Sequence, residues 1–142
     1  MPLEEMLKRH EGLRLKPYSC TAGKLTIGYG RNLEDRGITK EEAEYLLKND
    51  VRSIAEGLYR MFRDWFPNLD QVRQDVLIDM AYNLGFFGLS TFKNTLAYIA
   101  NGNYDKAADN MLKSKWATQV KGRAEELAEM MRTGVYKEQK TS

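Results

Sequence analysis

At 142 residues, 42% hydrophobic, with 22 basic and 20 acidic side chains and a net charge of +2, the chain fits one compact domain. It is too apolar and too evenly charged for a disordered one. No apolar run approaches the ~20 residues of a bilayer span, and Met1 to Glu5 lack the basic and apolar regions of a secretory signal, so a soluble protein of a thiol-reducing compartment is expected.

In chain order, residues 3–11 predict a short helix, with Leu3, Met6 and Leu7 on one face, acids in the first turn and Gly12 as the stop. Residues 13–33 carry short β-prone runs separated by Thr21-Ala22-Gly23-Lys24, which predicts a small β-hairpin region. Thr39 followed by Glu42 is a capping box, and an apolar face runs from Ala43 to Met61 before Pro67 and Asn68 break it. Helices are then expected over 70–84, 90–100, about 104–115 and 122–132, with Tyr136 to Ser142 frayed. Strands confined to the N-terminus and helices elsewhere give an α+β class, mostly α. One domain over residues 1–142 is expected, with lobes at about 12–38 and 62–136, the latter packed with helix 3–11. A helix over about 40–61 links them, and a groove between lobes would take a ligand.

One cysteine, Cys20, excludes an internal disulfide, and one histidine, His10, excludes a Ser-His-Asp triad elsewhere and leaves a His/Cys zinc site short of ligands. No metal or cofactor is expected, and the chemistry falls to carboxylates and hydroxyls. Glu11 stands at the last turn of the first helix, where the macrodipole disfavours a negative charge and so suits a general acid. Cys20 and Thr26 flank the predicted turn and can face each other across the hairpin, although a lone cysteine is ordinarily a small buried hydrophobe and a strand threonine an ordinary β-former. Gly28 and Gly30 would let the backbone approach a bulky ligand closely. His10 reads as a surface or packing residue, since consecutive helical residues point about 100° apart, and Met111, Met130 and Met131 read as core filler.

The segment from Glu11 to Gly30 resembles the catalytic motif of phage-type lysozymes, the endolysins of glycoside hydrolase family 24. Glu11, Cys20 and Thr26 keep that family's spacing of Glu, eight residues, Asp or Cys, five residues, Thr. The flanks Gly12-Leu13-Arg14-Leu15 and Ile27-Gly28-Tyr29-Gly30 match, as do Gly37-Ile38-Thr39, Ala81 to Gly85, Ser114-Lys115-Trp116, Gly122-Arg123 and Met131 to Gly134. The resemblance implies a lysozyme-like fold and a hydrolase cutting the β-1,4 bond between N-acetylmuramic acid and N-acetylglucosamine in peptidoglycan during host lysis. It implies that Glu11 is the acid, that Thr26 helps hold the attacking water, and that Arg123 is a buried arginine paired with the acid. It also implies substrate contacts at Tyr82, Thr95 and Asn110, Tyr82 being equally readable as core. A monomer is expected, held in the host cytoplasm until a holin-type membrane protein releases it to the wall, with neither nucleic acid nor membrane insertion involved.

Two departures from the family pattern bear on mechanism. Cys20 offers a thiol where a two-carboxylate glycosidase has its second carboxylate, and a nearby Glu11 would make its thiolate harder to form. It serves either as water-orienter or base, giving inversion, or as a nucleophile forming a thioglycosyl intermediate, giving retention. The Arg31 to Thr39 connection is short, so a smaller β-lobe is expected, and Arg31 replaces a histidine common in relatives, so no histidine-based ion pair carries over. Two other functions compete: a lytic transglycosylase working on Glu11 alone, and a non-catalytic cell-wall-binding or structural module. Finally, residues 111–142 hold seven basic and four acidic side chains, which reads either as a solvated helix face or as an aid to adsorption on an anionic envelope.

Overall fold

The computed structural model describes residues 1–137. The elements are α1 (Pro2–Glu11), β1 (Arg14–Ser19), β2 (Leu25–Gly28), β3 (Arg31–Asn32), α2 (Leu33–Arg36), α3 (Lys40–Met61), α4 (Gln71–Ser90), α5 (Lys93–Ala100), α6 (Tyr104–Leu112), α7 (Lys115–Val120) and α8 (Gly122–Thr133). The class is α+β and mostly α, as expected. The chain divides into two compact units, Met1–Leu47 and Lys48–Ser142, with the boundary inside α3.

In the first unit, an antiparallel sheet has strand order β1-β2-β3, with Tyr18 opposite Thr26 and Ile27 opposite Arg31. The β1–β2 register shifts between Arg14 and Tyr18, a bulge that adds local twist. The hairpin closes through the Cys20 amide donating to the Lys24 carbonyl at 2.9 Å and the Gly23 amide donating to the Cys20 carbonyl at 2.8 Å. The strand β3 and the helix α2 are additions to the expected hairpin. Helix α2 is short enough to escape periodicity, and Asn32 caps it by accepting from the Asp35 amide at 3.1 Å. The capping box of α3 forms as the sequence predicts, with Thr39 N donating to Glu42 Oε1 at 2.8 Å and Glu42 N to Thr39 Oγ1 at 3.1 Å.

The second unit carries the hydrophobic core, in which Leu58, Phe66, Val76, Leu77, Met80, Ile99, Met111 and Met131 are buried to within 1% exposure. Met111 and Met131 are thus core, with Met130 beside them at 8%. Helix α3 ends at Met61, before Pro67 is reached, and Pro67 lies within a 3-10 turn, Phe66–Asn68. Helix α4 runs further than the expected stop at residue 84, but Gly85 breaks it at φ 77 and ψ 167, a conformation open essentially to glycine alone. The helix expected to about 115 ends at Leu112, and α7 is a separate element started by Ser114, whose hydroxyl accepts from the Ala117 amide. Arg73 closes the far end of α8: Nε donates to the Met131 carbonyl at 2.7 Å and Nη2 to the Arg132 carbonyl at 3.0 Å. Of the tail expected to fray, Tyr136 is held by a hydrogen bond from its hydroxyl to Asp75, and residues 138–142 lie outside the described residues.

Between α7 and α8, Lys121 sits at φ 47 and ψ −109, a turn conformation suited to glycine. Such a residue stores roughly 1–3 kcal/mol, more than the ~0.5–1 kcal/mol by which glycine's extra freedom in the unfolded chain offsets the gain. Lys121→Gly is therefore expected to raise Tm by roughly 2–5 °C. Calorimetry showing an unchanged or lower Tm would remove the strain argument.

Candidate active site

The N-terminal unit holds three of the residues singled out in the sequence, Glu11 beside Gly30 and Cys20 beside Thr26. Glu11 closes α1 and is exposed, with the Gly12 amide capping the helix by donating to the Lys8 carbonyl. Its carboxylate lies against Gly30: a Cβ built on Gly30 would stand 2.6 Å from Glu11 Oε2 and 3.0 Å from Cδ. The close backbone approach anticipated at Gly30 is thus made by the acid itself. Gly28, where the same freedom was expected, has nothing within 4 Å of such an atom.

Cys20 and Thr26 meet across the hairpin. Cys20 is half-buried, and its thiol is held below its ordinary value chiefly by backbone hydrogen bonds at Lys24 and Ala22, with the Thr26 side chain adding to them and partial burial opposing. The expectation that a nearby Glu11 would make the thiolate harder to form is corrected: the shift is downward, and no carboxylate is among its causes. Thr26 is 3% exposed, and its hydroxyl donates to the Lys24 carbonyl at 2.9 Å. That one proton serves either the Lys24 carbonyl or the Cys20 sulfur, and in either case the oxygen keeps lone pairs to accept from water. Ile27 points to the other sheet face, where it lines a groove of about 910 Å³ with Ile38, Tyr45 and Leu46.

Arg31 does not lack a partner for want of a histidine. Its guanidinium grips Glu42 with both nitrogens, at 3.0 and 2.8 Å, and Nη1 also donates to the Gly37 carbonyl at 3.1 Å. Arg31 follows Gly30 directly, so this grip fastens the strand that lies on Glu11 to the start of α3. The Arg31 hydrogen bonds, then the Thr39 amide, hold Glu42 at about 2 against an ordinary 4.5. A depressed carboxylate stabilises above its unfolded value and loses that contribution as pH falls through its folded one. Arg31→Met is therefore expected to lower Tm at pH 7, with the gap from wild type closing between pH 4.5 and about 2. A gap constant across that window would show that the pair contributes nothing.

The C-terminal unit holds the remaining candidates. Thr95, buried at 3%, and Asn110 line one cavity of about 410 Å³. Trp116 forms part of its wall, fixed by its indole N–H donating to Asn83 Oδ1 at 2.8 Å and by the edge-on Phe92 ring. Tyr82 is 48% exposed, so its reading as core is corrected. Arg123 is also corrected: it is exposed, and its Nε donates to Asp79 Oδ1 at 2.8 Å. His10 is exposed, as expected. The sequence reading missed Gly30 as the acid's neighbour, the Arg31–Glu42 grip and the Trp116 wall. The adjacency of Arg31 to the motif was the one available signal.

Among the described residues, no helix is long and apolar enough to cross a membrane and no group of His, Cys, Asp and Glu is placed to hold a metal.

Residues 8–132 match the family model described as phage lysozyme. The endolysin of Bacillus phage B103 is 35% identical over 76% of the chain, which spans only 42% of that protein. The endolysin of Acyrthosiphon pisum secondary endosymbiont phage 1 is 33% identical, with 76% of the chain and 73% of the relative covered. The endolysin of Salmonella phage P22 is 35% identical, with 75% of each covered.

Proposed function

Because the chain belongs to the phage lysozyme family, we propose that it is a peptidoglycan hydrolase cutting the β-1,4 bond between N-acetylmuramic acid and N-acetylglucosamine, as an endolysin does in host lysis. The observation that carries this reading is the joint placement of Glu11 against Gly30 and of Cys20 with Thr26 on one small sheet unit.

Glu11, in its protonated form, gives its proton to the leaving glycosidic oxygen. Thr26 accepts a hydrogen bond from water below the sugar. Cys20, whose thiolate is favoured by the turn's amide donors, takes a proton from that water, which adds to the anomeric carbon as the glycosidic bond breaks. That route inverts the anomeric centre. Tyr82, Thr95 and Asn110 contact the glycan. The protein works as a monomer in the host cytoplasm until a separate membrane-permeabilising protein of the holin type releases it to the wall.

Digestion of purified peptidoglycan tests the reading through its products. New reducing ends of inverted configuration are expected. Retained configuration would replace the water route by a thioglycosyl intermediate on Cys20. Anhydro-sugar ends would make the protein a lytic transglycosylase, and intact glycan would leave a wall-binding module.

A further inference from the structure

The Glu11 carboxylate makes no hydrogen bond or ion pair among the described residues. Its place is therefore set by what it packs against, the backbone at Gly30. That backbone has little of its own to hold it. Gly28 and Gly30 both turn at positive φ, and β3 behind them is a two-residue edge strand, paired only as Ile27 with Arg31 and Thr26 with Asn32. The Arg31 side chain supplies the missing anchor. Its guanidinium reaches Glu42 Oε1 at 3.0 Å, Glu42 Oε2 at 2.8 Å and the Gly37 carbonyl at 3.1 Å. Glu42 is itself held, because Thr39 N donates to its Oε1 at 2.8 Å within the first turn of α3. A planar fork on both carboxylate oxygens fixes direction as well as distance, which a point charge does not. A continuous path thus runs from a 22-residue helix through Glu42, Arg31 and Gly30 to the acid.

We propose that Arg31 and Glu42 are positioning residues for the acid: their fork holds the Gly30 backbone as the wall that sets the Glu11 carboxyl for proton transfer. The inference rests on the hydrolase reading for the reaction itself. The proton passes from the Glu11 carboxyl to the leaving glycosidic oxygen, and Arg31 and Glu42 exchange none. A pair that served stability alone would lower the melting temperature when broken and leave the folded enzyme's turnover as it was. A pair that sets the wall acts on the reacting group, so breaking it slows the chemical step while the glycan still binds.

The test compares Arg31→Met and Glu42→Gln with Arg132→Met, which removes an arginine from ion pairs with Asp105, Asp109 and Glu129 in the second unit. Glutamine at position 42 keeps an oxygen for the Thr39 amide, so this variant spares the helix cap and carries the test if Arg31→Met is too unstable. Both site variants are expected to lower kcat on peptidoglycan roughly tenfold, with KM within about twofold of wild type. The double variant is expected to be no slower than either single one, because the two side chains act as one device. Arg132→Met is expected to lower Tm and leave kcat unchanged. A second readout needs no turnover. In NMR spectra Glu11→Gln is expected to shift the Gly30 Cα resonance in otherwise wild-type protein and to leave it nearly unmoved in the Arg31→Met background. Unchanged kcat in both site variants overturns the proposal, as do an equal loss in Arg132→Met, additive losses in the double variant, or a Gly30 response that is the same in both backgrounds. A Gly30 response that depends on Arg31 in a wild type that releases no sugar ends keeps the positioning and rejects the hydrolase reading. Sugar ends with kcat unmoved by either site substitution do the reverse.

Discussion

Glu11→Gln is expected to lower turnover on peptidoglycan by roughly 10³-fold or more while leaving the protein slightly more stable than wild type. The amide keeps the size and hydrogen-bonding reach of the carboxyl but has no proton to give the leaving oxygen, and general acid catalysis is worth ~10²–10⁴-fold where it is used. Stability moves the other way. Glu11 is the last residue of α1, where the exposed carbonyl ends of the helix repel a negative charge. Removing that charge relieves about 0.3–1 kcal/mol, equivalent to a rise in Tm of roughly 1–4 °C. The opposed signs are diagnostic. A merely structural glutamate would lose stability and activity together, and a surface glutamate without a role would change neither activity nor wall binding. Initial rates of reducing-end release set beside calorimetry of the same preparations decide it, and activity within tenfold of wild type would remove Glu11 from the acid's role.

The legibility of this site in the sequence follows the range of the interactions that build it. The capping box at Thr39 and Glu42 was readable because both partners lie within one helical turn. Cys20 and Thr26 were readable as neighbours because both flank one tight turn, although the register sets Thr26 opposite Tyr18 and the two touch on the diagonal. Contacts that span more of the chain were not. Arg31 finds Glu42 only because the short connection folds α2 under the strand end, and Arg73 closes α8 across 58 residues of sequence. The break in α4 was half visible: the expected helix stops at residue 84, one before Gly85, yet the helix resumes, since apolar residues beyond it still reach the core at Leu89. Arg123 shows the limit of a resemblance carried over by position. The residue type matches, but the side chain expected to be buried is exposed, with its Nε donating to Asp79 of α4.

Gly30→Ala and Gly28→Ala are expected to destabilise the protein alike and to differ widely in activity. Both glycines hold positive φ, 79° and 72°, so alanine at either costs about 1–2 kcal/mol in backbone strain. Their surroundings differ. Alanine at position 28 meets open space, whereas at position 30 its methyl would overlap Glu11 Oε2 at 2.6 Å. The carboxylate is the free end of a flexible side chain and swings away at little cost to stability, but the proton it carries then leaves the place where the leaving oxygen needs it. A displacement of about 1 Å at a reacting group costs ~10²-fold. We therefore expect kcat/KM to fall roughly 10²-fold in Gly30→Ala and less than about fivefold in Gly28→Ala, with Tm lowered by a similar few degrees in both. Restoration of stability by an unrelated stabilising substitution should leave the Gly30→Ala defect in place. Equal losses of activity in the two variants would mean that backbone strain in the sheet, and not the position of the acid, sets the rate.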